Sequence, residues 1–240
     1  MARPHIEPLG DRALIIAFGS TIDPAINRRV IEVAARIRLA AMAGVTDIVP
    51  SFAAIGVHYE PASIAVGRGE LPYVALLRRL RPLLEEHPDA GVADASPIVE
   101  IPVCYGGRYG PDLAEAARLC EMTPDELVAL HQQPGEPPLK VYMIGFAPGA
   151  PYIGLLDQRL SLPRRSTPRI DVPAGTVAIA NRQSVIYPYT GPGGWNLIGR
   201  TPLTLFDPTR DPPGLLNPGD RVRFRAIDET ELLAWPAHRA

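Results

Sequence analysis

No helix or regular strand needs glycine and proline at the density found between Gly145 and Pro208, where arginine and aromatic residues are interspersed with them. Glycine lets the backbone reach positive φ or approach a ligand closely, while proline fixes φ and removes a donor. Together they build loops of fixed shape at low entropic cost. The stretch therefore predicts a rigid, shaped surface. On it, Arg164, Arg165 and Arg169 cluster around Pro163 and Pro168, Arg182 and Arg200 follow, and Tyr152, Tyr187 and Trp195 stand beside prolines or glycines. Planar guanidinium groups suit carboxylate or phosphate recognition.

The rest of the chain has an ordinary globular composition. With 240 residues, 46% hydrophobic and 21% charged, it can bury a real core in one large domain or two small ones. A net charge of −2 argues against a nucleic-acid or anionic-membrane footprint. Asp11 and Arg12 interrupt the N-terminal run before it reaches the length of a signal peptide or membrane span, so a cytoplasmic location is expected. Cys104 and Cys120 have no CxxC spacing and fall on a predicted strand and a predicted helix, which predicts two reduced thiols.

Arg12 to Phe18 predicts a strand after the Leu9-Gly10-Asp11 turn. Asp23-Pro24 then caps a helix in which Ile26, Val30, Val33 and Ile37 recur until Gly44. Strands over 46–52 and 54–60 follow, and a helix over 70–86 puts Tyr73, Leu77, Leu80 and Leu84 on one face, with Pro82 placed to kink it. The order β-α-β-β-α, completed by a strand near Ile98 to Val103, predicts an α+β ferredoxin-like N-terminal domain, although that last strand could equally begin the next domain. His87 to Gly91 is the predicted linker, giving domains of 1–90 and 91–240. Past it, Pro111-Asp112 opens a short helix with Leu113, Ala116, Ala117 and Cys120 on one face, and Thr123 to Glu126 is a capping-box pattern starting another. Short strand-like runs over 140–146, 176–180, 184–187, 196–198, 203–206 and 221–227 then alternate with turns, the pattern of an all-β barrel or sandwich.

There is no GxSxG elbow, and none of the five histidines lies between Gly145 and Pro208, which argues against a serine-hydrolase triad. No metal-ligand cluster is expected. Gly106 to Gly110 is glycine-rich but lacks the Gly-Lys-Ser/Thr ending of a phosphate loop, and reads as the turn before the Pro111 helix. Arg164, Arg165 and Arg169 are candidates to bind a carboxylate or phosphate, against the alternative of structural ion pairs with Asp157 and Asp171. Arg200 joins the candidate set. Tyr152 and Trp195 either line a pocket or plug a barrel end, and Phe146 reads as core. Pro148-Gly149 and Gly193-Gly194 either turn backbone N–H groups toward a developing oxyanion or serve as tight turns. No residue is singled out as catalytic.

Several runs carry a family resemblance: Gly145 to Tyr152, Pro163 to Arg169, Val172 to Gly175 and Gly193 to Pro202, with Val49 to Phe52, His58 to Pro61 and Ile101 to Gly107 upstream. In that order they resemble the allophanate hydrolase subunit 1 family over nearly the whole chain. The resemblance implies a cyclophilin-like β-barrel for the second domain. It implies first the B subunit of an ATP-dependent 5-oxoprolinase, inactive alone, that works with companion A and C subunits to open 5-oxo-L-proline to L-glutamate. ATP and magnesium are then expected to be bound by or with a partner subunit. A carboxyltransferase role of the allophanate hydrolase or urea carboxylase type, beside a second cyclophilin-like subunit, is the alternative; histidine-kinase inhibition is a third reading, of another class. Ala150 stands where the family usually carries a large aromatic, and Asn181, Ser184 and Val185 where glycine, threonine and glycine are common. Those departures imply a widened or differently shaped pocket.

Overall fold

The computed structural model describes residues 4–85, 97–133 and 137–236, and the chain forms two compact units, 1–95 and 96–240. The predicted linker at His87 to Gly91, and the boundary drawn there, lie outside the described residues.

In the first unit β1 (His5–Pro8) and β2 (Ala13–Ala17) form a hairpin, followed by α1 (Pro24–Leu39), β3 (Val45–Pro50), β4 (Ala54–Tyr59) and α2 (Pro72–Glu85). The Asp23 carboxylate accepts from the Ala25 and Ile26 amides at 2.8 and 3.0 Å, satisfying donors that the first helical turn leaves open. α1 ends at Leu39, short of Gly44, where Ala41 takes a left-handed φ of 41°. The sheet order is β1-β2-β4-β3, with every neighbour antiparallel. Thus β4 lies between β2 and β3 as a split β-α-β arrangement requires, but Ile98 to Val103 does not complete this sheet. The free edge of β2 is taken by β1, which a tight hairpin delivers at lower loop-closure cost than a strand arriving after α2.

Alternate residues of β2 and β4 (Leu14, Ile16, Ile55, Val57) pack against Val30, Val33 and Ile37 of α1 and Leu76, Leu80 and Leu84 of α2. Leu76, and not the expected Leu77, is the buried member of the α2 pair, because it continues the four-residue spacing of Leu80 and Leu84.

The second unit contains β5 (Ile98–Tyr105), α3 (Leu113–Leu119), α4 (Pro124–Gln132), β6 (Leu139–Ile144), β7 (Pro151–Gly154) and β8 (Arg169–Val172). It continues through β9 (Thr176–Ala180), β10 (Gln183–Ile186), β11 (Gly191–Gly193), β12 (Asn196–Arg200), β13 (Arg221–Ile227) and α5 (Glu229–Ala234). Seven strands close into a barrel in the order β10-β7-β6-β13-β5-β12-β9, and β8 pairs with β11 as a separate two-stranded ribbon. β5 and β13, the first and last strands of the unit, run parallel as neighbours. The capping box forms as its sequence predicts: Thr123 Oγ1 accepts from the Glu126 amide at 3.2 Å, and the Glu126 carboxylate accepts from the Thr123 amide at 2.7 Å. The strand predicted at 203–206 does not form. Prolines at 202, 208, 212 and 213 interrupt pairing there and leave a lone bridge between Phe206 and Gly214. β9 and β10 turn through Asn181 and Arg182 at φ 49° and 62°, a two-residue hairpin in which asparagine tolerates the left-handed region that otherwise favours glycine.

Period-two alternation gives this wall two apolar faces. Val177, Ile179 and Ile186 point into the barrel with Ile101, Val103, Ile153 and Phe224, whereas Ala178, Ala180 and Val185 point outward to a second cluster with Tyr187, Trp195 and Leu197. Ser184 shares the inward side, where it meets His131 of α4. Ser184 Oγ donates to the Ala178 carbonyl at 3.3 Å, so it accepts from His131 Nε2 at 2.9 Å, and His131 Nδ1 accepts from the Tyr105 hydroxyl at 2.7 Å.

Burial holds that imidazole neutral and pulls its pKa from 6.5 down to about 3. The unfolded chain binds a proton that the folded chain refuses, so the stabilisation is complete above the unfolded value and is lost as pH falls toward the folded one. Unfolding free energy should therefore drop by up to about 1.4 kcal/mol per pH unit below roughly pH 6.5. Thermal melts followed by circular dichroism should show that slope in the parent chain and a flatter one in His131→Gln; equal slopes would exclude His131 as the responsible group.

Candidate functional site

The outward face of the barrel wall is not left to solvent. The β8–β11 ribbon and the segment before it border a cleft of about 340 Å³ whose lining includes Tyr152, Val185, Tyr187 and Trp195 on the barrel side, with Arg164 and Gly193 opposite. Tyr152 meets Trp195 edge to face, with ring centroids 5.8 Å apart at 75°. Arg164 places its guanidinium carbon 4.9 Å from the Trp195 ring centroid. Among the described residues no hydrogen bond or ion pair engages that guanidinium, and the residue is exposed. An aromatic cleft with a single unneutralised cation suits a small molecule that is apolar along its body and anionic at one end.

Burial raises the pKa of both cleft tyrosines. At Tyr152 the Arg164 charge opposes the rise, and at Tyr187 the Trp195 backbone N–H and the charges of Arg164 and Arg169 do so. Both phenols thus remain protonated, hydrogen-bonding groups at neutral pH.

Of the residues singled out by sequence, Tyr152, Arg164, Gly193, Gly194 and Trp195 come together on the cleft. Arg165 and Arg169 do not line it. They converge on Asp112, which is only 5% exposed: Arg169 donates through Nη1 and Nη2 at 2.8 and 2.7 Å, Arg165 through Nη1 at 3.2 Å, and the Leu197 amide at 2.8 Å. The ion-pair partner is therefore Asp112 in place of the expected Asp157 and Asp171, and Asp157 is engaged by Arg159. Arg200 lies outside the lining, its guanidinium carbon 5.4 Å from the Tyr109 ring centroid. Pro148 and Gly149 also lie outside it; Gly149, at φ 77°, turns against Phe206, where a Cβ would come within 2.6 Å of the Phe206 Cβ. Phe146, expected in the core, is 78% exposed on the cleft rim, because its left-handed φ of 67° swings it away from the β6 face. Among the family departures, Ala150 and Val185 line the cleft, whereas Ser184 faces the barrel interior.

The glycine-rich loop at 106–110 forms the turn before α3: the Gly106 amide donates to Ile198 O at 3.0 Å, and the Tyr109 and Gly110 amides donate to Gly106 O at 3.1 and 2.8 Å. Arg108 is ion-paired with Glu229. Among the described residues no group of three or more His, Cys, Asp or Glu side chains could hold a metal ion, and no helix is long and apolar enough to cross a membrane.

The chain is a carboxyltransferase-type protein: the family model for the carboxyltransferase domain, subdomain C and D, matches residues 4–216, and the chain belongs to that family. Its relatives include the 5-oxoprolinase B subunit of Bacillus subtilis (strain 168), 41% identical over 236 residues with 97% of each chain covered. The 5-oxoprolinase B subunit of Escherichia coli O157:H7 is 39% identical over 225 residues, covering 93% of this chain and 96% of that one. Among solved structures, TTHA0988 superposes with a TM-score of 0.74 at 37% identity, over 90% of this chain and 40% of that longer one. Kluyveromyces lactis urea carboxylase shares the fold at 17% identity, with a TM-score of 0.70 over 96% of this chain and 22% of that one.

Gly193 shows how tightly the cleft is assembled, since a Cβ there would fall on the Tyr187 hydroxyl, whereas one on Gly194 would meet nothing nearer than Pro168 Cγ at 3.6 Å. Gly193→Ala should cost about 1–3 kcal/mol in denaturant unfolding by overpacking, and Gly194→Ala should be close to neutral. Equal losses at the two positions would remove close approach as the reason for Gly193.

Proposed function

We infer that this chain is the B subunit of an ATP-dependent 5-oxoprolinase and that its cleft receives 5-oxo-L-proline for opening to L-glutamate. The observation that carries the reading is Arg164, an uncompensated guanidinium stacked on Trp195 over an aromatic cleft. The cleft belongs to a chain 41% identical, along almost its full length, to the B subunit of Bacillus subtilis 5-oxoprolinase. 5-Oxoproline is a small ring with one carboxylate. Its ring matches the Tyr152, Val185 and Trp195 walls, and its carboxylate matches Arg164.

Lactam resonance makes direct attack by water slow, and ATP supplies activation of the lactam oxygen by phosphorylation. We place ATP and its magnesium by or with companion A and C subunits, in a cytoplasmic hetero-oligomer in which this chain is inactive alone. Its own part is to bind the ring, orient the carboxylate and exclude water from the apolar side of the cleft. The family's name favours a second reading, a carboxyltransferase subunit, in which Arg164 would pair with the carboxylate in transit between a carboxylated donor and urea; the 41% identity to a 5-oxoprolinase B subunit weighs for the first.

Co-expression with A and C subunits tests the proposal through ATP-dependent release of glutamate, with controls lacking each chain. Activity should require all three. Arg164→Ala should then raise the KM for 5-oxoproline about ten- to a hundredfold, the cost of losing charge-assisted hydrogen bonds to a carboxylate. Stable assembly without glutamate release would transfer the case to carboxyl transfer.

A further inference from the structure

Asp112 stands at the N-cap of α3, where an aspartate ordinarily accepts from the first-turn amides, yet its side chain makes no capping bond. Both carboxylate oxygens are spent instead on Arg165, Arg169 and the Leu197 amide, and its own amide donates to Leu197 O at 2.9 Å. Two segments are thereby tied to one buried group. The first carries Arg164, next in sequence to Arg165; the second carries Trp195, two residues before Leu197. The two segments are also stitched directly, since the Arg165 amide donates to Gly194 O at 2.7 Å. Among the described residues the Arg164 side chain makes only the ring contact with Trp195, so its position depends on how firmly the backbone beside it is held.

We propose that Asp112 is a positioning residue for the cleft: its carboxylate clamps the segment bearing Arg165 and Arg169 onto β12, so that Arg164 stays over Trp195. The proposal rests on the cleft being the 5-oxoproline site. A flexible arginine that is fixed before the ligand arrives spends less of its interaction on ordering itself. The clamp is specific to a charged, two-oxygen side chain. An asparagine keeps an acceptor for the Leu197 amide but leaves two guanidinium groups facing each other without a counter-charge.

The experiment uses the full chain with Trp235→Phe, so that Trp195 is the sole tryptophan. Acrylamide quenching of its fluorescence is compared in the parent, Asp112→Asn, Arg164→Ala and the double variant, well below each melting temperature. Asp112→Asn should raise the quenching constant at least twofold, Arg164→Ala should raise it similarly, and the double variant should show no further rise, because both act through the same contact. In the complex with A and C subunits, Asp112→Asn should raise the KM for 5-oxoproline about tenfold and leave kcat within about twofold. A lowered melting temperature with unchanged quenching would overturn the proposal, leaving Asp112 a brace for the fold alone. Additive quenching by the two substitutions would overturn it as well. Coupled quenching without a change in KM would uphold the clamp and overturn the assignment of the cleft to 5-oxoproline. Asp112→Glu, which restores the charge, should recover part of the parent quenching.

Discussion

β9 and β10 are buried at every position, on both faces, and the second unit is organised around what that requires. A barrel strand can satisfy its inward side with barrel packing alone, but an outward row of Ala178, Ala180 and Val185 beside Trp195 must be covered by something else. The cover is the β8–β11 ribbon and the arginine-bearing segment before it. Two short strands are marginal by themselves, and Gly191-Pro192-Gly193 can supply little pairing energy. The ribbon therefore depends on ties from outside it. Arg169, its first residue, is anchored by a buried carboxylate, and the Tyr187 phenol fills the space that Gly193 leaves open. Cover and cleft are consequently one object.

Two buried polar clusters flank the same wall and solve the same problem in different ways. Inside the barrel, Tyr105, His131 and Ser184 form a neutral relay in which each hydroxyl or ring nitrogen has a partner, so no ion is desolvated. Outside it, four N–H bonds from three residues converge on the two oxygens of Asp112, while Arg165 and Arg169 remain partly in water, at 36% and 29% side-chain exposure. The neutral cluster gives the barrel a fixed interior at the cost of acid sensitivity. The charged one lets a loop of poor intrinsic order be held against a strand.

Features set by neighbours in sequence were legible from it. Asp23 and Thr123 read as caps because the amides they serve lie within the next few residues, and α1 read as a helix because Val30, Val33 and Ile37 keep its period. The conformations that escaped are those decided at a distance. The partner of Arg165 and Arg169 lies more than fifty residues upstream, and nothing in the spacing distinguishes Asp112 from Asp157 or Asp171. β8 and β11 carry no strand pattern, since they owe their form to the wall beneath them and not to alternation of their own. Phe146 looked like core by residue type, and only the positive φ at its position puts it on the rim. The Gly145 to Pro208 stretch gave away that a shaped surface exists; which of its arginines faces the cleft depended on tertiary partners that no local pattern encodes.

Alternation also explains how a barrel fold shared at 17% identity with Kluyveromyces lactis urea carboxylase leaves its outward positions free to vary. Inward positions such as Val177, Ile179 and Ile186 answer to the packing of the whole barrel, and a change there is felt by neighbours on several strands. Outward positions answer only to the ribbon and to whatever lies beneath it. Ala150 and Val185 line the cleft, so replacing them reshapes the space a ligand meets while the barrel interior is left alone. Ser184, adjacent to Val185, is bound into the His131 relay and has no such freedom. Neighbouring residues on one strand thus carry separable demands, one for the barrel interior and one for the cleft.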